Sequence, residues 1–164
     1  MLDRAEHHQL GGFAVELAAL RGLRVVAVAG PGDEALVRGL GADSFVPRTA
    51  PHLAEAVRAL VPGGVDGVLD AAGLRAGALE ALRGGGSFVA VGLGADPVRR
   101  RGTRVSNVWV RADGLRLTGL SALADAGRLT LRVAATYPLE QAAAAHERPA
   151  AGGVRGRLVL LPQP

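Results

Sequence analysis

The helix opened by Leu10-Gly11-Gly12 and stopped by Gly22 runs into an apolar strand over residues 23–29, and no strand stands ahead of it. This pairing constrains the fold more than any other feature. Val25, Val26 and Val28 make the strand apolar on both faces. Such a strand needs a helical layer on each side, which means a layered α/β fold. Strand and helix then alternate down the chain, whereas residues 1–9, MLDRAEHHQ, are polar and do not read as a buried strand. The pattern predicts an α/β, doubly wound parallel sheet that lacks its first strand.

The elements follow from glycine stops and periodicity. Gly30-Pro-Gly-Asp33 is a turn, with Asp33 as N-cap of a helix over residues 34–40. A strand over 44–46 leads to a helix capped by Thr49, with Leu53, Val57 and Leu60 on one face. The strand 65–70 closes on Ala71-Ala72-Gly73, and glycines 84–86 stop a helix over 78–83. A strand over 87–91, a loop over 92–102 and a strand over 104–110 precede a helix over 113–126. Gly127 is that helix's C′ stop. The chain then changes character. A strand over 131–136, a helix over 142–146 and a strand over 156–161 form a tail that reads as packing on something else.

At 164 residues and 49% hydrophobic, the chain suffices for one domain, or one plus a piece of another. With 3% aromatic residues, Leu, Val and Ala must fill the core. All 19 basic residues are Arg, set against 15 acidic ones for a net charge of +4. That uniformity reads as coding bias rather than a nucleic-acid footprint, and Arg99-Arg100-Arg101 reads as a solvated loop. There is no cysteine, and His7, His8, His52 and His146 lack metal-ligand spacing, so no metal site is expected. No apolar run is long enough to span a membrane and the N-terminus has no signal-peptide pattern. The expected location is cytoplasmic.

With these elements placed, several segments carry a family likeness: residues 12–18 (GFAVELA), 40–43 (LGAD), 65–73 (VDGVLDAAG), 85–92 (GGSFVAVG) and 123–129 (LADAGRL). The tail adds residues 137–146 (YPLEQAAAAH) and 152–159 (GGVRGRLV). In order and spacing they resemble the C-terminal half of a medium-chain dehydrogenase/reductase of the zinc-independent, quinone oxidoreductase-like branch. The resemblance implies a Rossmann-like fold with NADP or NAD as cofactor. It also implies hydride transfer to a small carbonyl or quinone substrate, and a homodimer. It divides the chain into a polar leader (1–9), an incomplete dinucleotide-binding domain (10–130) and a segment that in relatives packs on a catalytic domain (131–164). A non-catalytic binding or dimerisation module is the alternative.

The resemblance also assigns cofactor contacts. Gly11 aligns with the last glycine of a phosphate loop, but His8 and Gln9 would crowd a phosphate, so a helix cap competes with that role. Gly30 and Asp33 lie where adenosine ribose specificity is set, and Asp33 serves equally as a cap. NAD and NADP stay undecided. Asp70, Ala72, Gly73, Val91, Gly92 and Leu93 sit at strand ends, where ligands bind in open α/β sheets. Asn107, Val108 and Trp109 match the stretch that meets the nicotinamide carboxamide, while core packing or an interface competes for Trp109. No catalytic residue is assigned. Loss of the central strand predicts that the gap closes directly, or that residues 1–9 or a partner chain cover its edges.

Overall fold

Gly11 and Gly12 do not begin a helix. In the computed structural model, which describes residues 4–91 and 97–162, the first helix, α1, spans Arg4–Leu20, and both glycines lie in its middle. The supposed polar leader supplies its first turns. The reason is tertiary. The Arg132 guanidinium lies against the bare Cα of Gly12, donates to the Gln9 carbonyl at 3.1 Å and pairs with the Glu16 carboxylate at 3.5 Å. It also sits 5.0 Å from the centre of the Phe13 ring. In return the Gln9 amide donates to the Arg132 carbonyl at 3.0 Å, and Glu16 accepts from the Thr130 N–H at 3.0 Å. Gln9 and Glu16 are buried polar groups; these partners offset the desolvation of Glu16 and of the Gln9 amide N–H, while the Gln9 Oε1 is left without a partner among the described residues.

Two parallel sheets follow. β1 (Val26–Ala29) pairs with β2 (Ser44–Pro47), Val26 opposite Ser44. Between them run a 3-10 turn, Pro31–Asp33, and α2 (Glu34–Gly39). The second sheet has the order β3 (Val65–Asp70), β4 (Leu82–Val91), β5 (Arg104–Val108). α3 (Leu53–Leu60) leads from β2 to β3, and α4 (Ala76–Leu79) from β3 to β4. Among the described residues no ladder joins β1 to β3. The predicted direct closure is therefore absent. Nor do residues 4–9 add a strand, since they are helical and Gln9 turns to Arg132; residues 1–3 lie outside the described residues.

The sheets are tied by packing instead. Val46, Val57 and Ala81 form a buried cluster that takes in Val26 and Val28 from β1 and Val65 from β3. On the opposite side, Val15 of α1 packs with Ala27, Val37 and Ala42. The deepest core lies around β4, where Leu82, Phe88 and Ala90 are fully buried with Leu79 of α4.

Several expected boundaries move. Thr49 does not cap α3, which begins after His52 without a side-chain cap bond. α4 is shorter than expected and β4 begins at Leu82, so glycines 84–86 lie inside a strand rather than ending a helix. The register jumps there: Val65 faces Leu82 while Gly67 faces Ser87. Gly64, at φ +96°, permits the approach, because a Cβ on it would lie 2.7 Å from the Ala81 carbonyl oxygen. Arg58 holds the same stretch by donating to the carbonyls of Glu80 and Leu82 at 3.1 and 2.6 Å.

α5 (Gly114–Asp125) is capped at both ends. Asp113 accepts from the Arg116 N–H at 3.0 Å, and past the helix Gly127 N–H and Arg128 N–H return to the carbonyls of Ala124 and Leu123. Yet none of its residues is buried. The tail is the expected strand-helix-strand unit: β6 (Val133–Pro138), α6 (Ala142–Glu147) and β7 (Arg157–Leu161). Its strands pair in parallel as a separate two-stranded sheet.

Candidate functional site

In a parallel sheet every strand ends on the same side, so the segments after β3, β4 and β5 share one edge. Asp70 closes β3 and is 2% exposed. Its Oδ1 accepts from the N–H groups of Ala72 and Leu74 at 3.1 and 3.0 Å, and its Oδ2 from that of Arg75 at 2.7 Å. One carboxylate thus shapes the whole βα loop. Within the loop, Gly73 takes φ +72° and Arg75 φ +51°. Ala72 and Gly73 are exposed on its outer side. The sequence suggested that small residues made this turn; the buried carboxylate beneath them is what organises it.

Beside that loop, Val91 ends β4 opposite Val108, and Asn107 lies opposite Ala90. Val91, Asn107 and Val108 therefore adjoin across two strands. β5 ends at Val108, so strand alternation does not extend to Trp109. Trp109 is 73% exposed, which removes the core-packing reading. It borders a shallow hollow with Val110, Arg111, Asp113 and Arg116. Gly92 and Leu93 lie outside the described residues.

The end of β1 carries a second group. Asp33 stands at the N-cap position of α2 but makes no cap bond. Its carboxylate accepts instead from Arg155 at 2.7 Å, and Arg155 also donates to the Gly32 carbonyl at 3.1 Å. Arg48 joins from the next strand. Its N–H donates to the Ala29 carbonyl at 2.8 Å, and a Cβ on Gly30 would lie 3.8 Å from its guanidinium. The turn therefore has its one acid neutralised and a second arginine beside it. Sequence reasoning found Asp33 but missed both arginines. Arg155 comes from 122 residues away, beyond any local signal. Arg48 was within reach, because it directly follows the strand that neighbours β1.

Elsewhere the basic run serves the fold. Arg100 and Arg101 pair with Glu80, and Arg101 also reaches the carbonyls of Leu79, Glu80 and Leu82. The hydrogen bond from Arg101 holds the Glu80 carboxyl below its ordinary pKa. Arg100 and Arg101 are thus structural clamps rather than a free solvated stretch.

A Rossmann-type cofactor needs a pyrophosphate cradle, a ribose site and a nicotinamide edge. The last two have residues that fit. The first does not, because the N–H of Gly11, deep inside α1, is committed to the helix and offers nothing to a phosphate. Among the described residues no group of three or more His, Cys, Asp or Glu side chains gathers to hold a metal.

Parallel strands, connecting helices and strand-end loops along one edge define the nucleotide-binding class of α/β fold. Within it, the chain belongs to the zinc-binding dehydrogenase family, whose model matches residues 40–160, and it corresponds to the quinone oxidoreductase-like C-terminal half of medium-chain dehydrogenase/reductases. A trans-enoyl reductase, mycC, of Thermothelomyces thermophilus is 33% identical over 123 residues, which are 71% of this chain and 32% of that protein. Among solved structures, AibC superposes with a TM-score of 0.86 at 26% identity, covering 97% of this chain and 51% of its own. A 2-haloacrylate reductase gives 0.81 at 27% identity, covering 98% of this chain and 56% of its own. The chain thus spans about half the length of its solved relatives, and a third of the curated one.

Proposed function

We propose that this chain is the cofactor-facing half of an NAD(P)-dependent oxidoreductase that reduces an enone, a quinone or a similar carbonyl-activated substrate. What carries the reading is the edge formed by the Asp70 loop, Val91 and Asn107, with the Gly30–Arg48 group at the end of β1. The names of the relatives, a trans-enoyl reductase and a 2-haloacrylate reductase, support the substrate class. The nicotinamide supplies the hydride; the protein supplies position and electrostatics. Val91, Asn107 and Val108 face the nicotinamide, while Ala72 and Gly73 border the cleft. The reading is zinc-independent, as in the branch that the sequence resembles. Residues 131–164 form the segment that packs on a catalytic domain, and the exposed Trp109 and Val110 form a face for a homodimer. The location is cytoplasmic.

The ribose end favours NADP. An acid there would bond a free 2′-hydroxyl and repel a 2′-phosphate, but the Asp33 carboxylate is bound by Arg155. Arg48 is then free to bond the phosphate as a fork. A non-catalytic binding module is the second reading, favoured by the position of Gly11 in the middle of α1, where its N–H belongs to the helix. Calorimetric titration separates the two. NADPH should bind more tightly than NADH, and Arg48→Ala should weaken NADPH about 10-fold while sparing NADH, the scale of one charge-assisted hydrogen bond. If neither nucleotide binds at millimolar concentration, the non-catalytic reading takes its place.

A further inference from the structure

One contact joins the C-terminal tail to the turn after β1. Arg155, from the segment leading into β7, donates its Nε to the Asp33 carboxylate at 2.7 Å and its Nη2 to the Gly32 carbonyl at 3.1 Å. The base of this side chain is fixed. The Arg157 N–H donates to the Arg132 carbonyl at 2.7 Å, where the pairing of β6 with β7 begins. Gly156 allows that approach. At φ +155° it lies so close to the start of β6 that a Cβ on it would stand 2.8 Å from the Arg132 carbonyl oxygen and 2.7 Å from the Ala134 nitrogen. Arg155 therefore reaches the turn from an anchored position.

Stability does not account for the contact. The Arg155 side chain is 59% exposed, and an ion pair so open to water adds little. Asp33 also forgoes a stabilising role. It stands at the N-cap of α2, where an Asp ordinarily accepts from the helix N–H groups, and makes no such bond. What the contact changes is the charge of the turn. The neighbouring acid, Glu34, is paired with Arg38 at 2.9 Å. With Arg155 in place, both acids are compensated, and Arg48 stands beside Gly30 as a further cation.

We infer that Arg155 is a specificity-determining residue of the adenosine site, supplied by the tail. By holding Asp33 it converts a turn suited to a free 2′-hydroxyl into one suited to a 2′-phosphate. The inference rests on the reading of this chain as an NAD(P)-binding half, and it names the residue that sets the preference. An unmasked carboxylate accepts from a ribose 2′-hydroxyl and repels a 2′-phosphate. Arg155 removes that repulsion at its source. Its fork takes the carboxylate with one arm and the Gly32 carbonyl with another, so Asp33 is fixed in place as well as neutralised. Selectivity then does not reside in the turn alone. It depends on a residue 122 positions further along the chain, so displacing the tail uncovers Asp33 and moves the preference toward NADH.

The test is calorimetric titration of the full chain with NADPH and with NADH, for the unaltered protein, Arg155→Gln, Asp33→Asn and the double variant. Arg155→Gln should weaken NADPH at least about 10-fold, the scale of one contact to a charged group, and leave NADH unchanged or tighter. Adding Asp33→Asn should restore most of that loss, because no acid is left to unmask. Asp33→Asn alone keeps Arg155 and should bind NADPH no more weakly than the unaltered chain. The inference is overturned if Arg155→Gln weakens both nucleotides alike or leaves their ratio unmoved. It is equally overturned if the double variant binds NADPH no better than Arg155→Gln, since Arg155 would then act as a phosphate ligand and not through Asp33. Weaker NADPH binding in Asp33→Asn alone has the same consequence, and that variant does not depend on how Arg155→Gln folds. The cofactor reading fails in a different way, by the unaltered chain binding neither nucleotide, and it takes this inference with it.

Discussion

Asp70 shows how one residue can be both a structural device and part of a site edge. Three backbone N–H groups converge on a carboxylate that is 2% exposed. Removing it leaves those donors without an acceptor in a nearly dry place. Asp70→Ala should therefore cost about 2–4 kcal/mol in urea unfolding, the sum expected for lost charge-assisted bonds and stranded donors. Asp70→Asn keeps one acceptor oxygen and should lose less. Equal losses in the two variants would mean that packing, not hydrogen bonding, holds the loop. The importance of Asp70 as the end of a strand was legible in the sequence. Its partners were not, because a run of Ala and Gly gives no sign of which N–H groups turn inward.

At the scale of elements, α1 marks where local reading failed and why. Gly11-Gly12 resembles a helix start, since glycine weakens helix interiors and is tolerated at caps. The helix nevertheless runs through both, because Gln9 and Glu16 are fixed by the segment 130–132. The two glycines should then differ. A Cβ on Gly11 meets nothing within 4 Å, so Gly11→Ala should gain about 0.5–1 kcal/mol from helix propensity. A Cβ on Gly12 would overlap the Arg132 guanidinium and force it off Gln9 and Glu16. Gly12→Ala should fall at least about 1 kcal/mol below Gly11→Ala, the worth of one displaced hydrogen bond to a charged group. Thermal or urea unfolding of the pair measures the difference. Equal gains would show that Arg132 moves aside freely. Elements bounded by clear starts and stops, such as β3 and α5, were legible as they stand. β4 was not, because its register jump depends on Arg58 and Gly64 pressing from other elements.

For the whole molecule, the order of elements led to the expectation that β1 and β3 would meet. What that order did not reveal was the packing between them. The expected closure is absent; α3 instead packs Val57 with Val46 and Ala81 against Val26 and Val28 of β1 and Val65 of β3. Stability should then be uneven along the chain, because local opening follows buried contact rather than secondary structure alone. β4 carries three fully buried side chains, whereas the tail contributes only Ala145 to the buried core and belongs to none of the three clusters. α5 buries nothing. Native-state hydrogen exchange should accordingly rank β4 slowest, β1 and β3 intermediate with their unpaired sides fast, and α5 with β6 and β7 fastest. The contrast between β4 and β7 should reach at least 100-fold, which corresponds to about 2.7 kcal/mol of differential opening. Uniform protection across all seven strands would mean that the chain opens as one unit, and that the open edges and uncovered α5 do not weaken their surroundings.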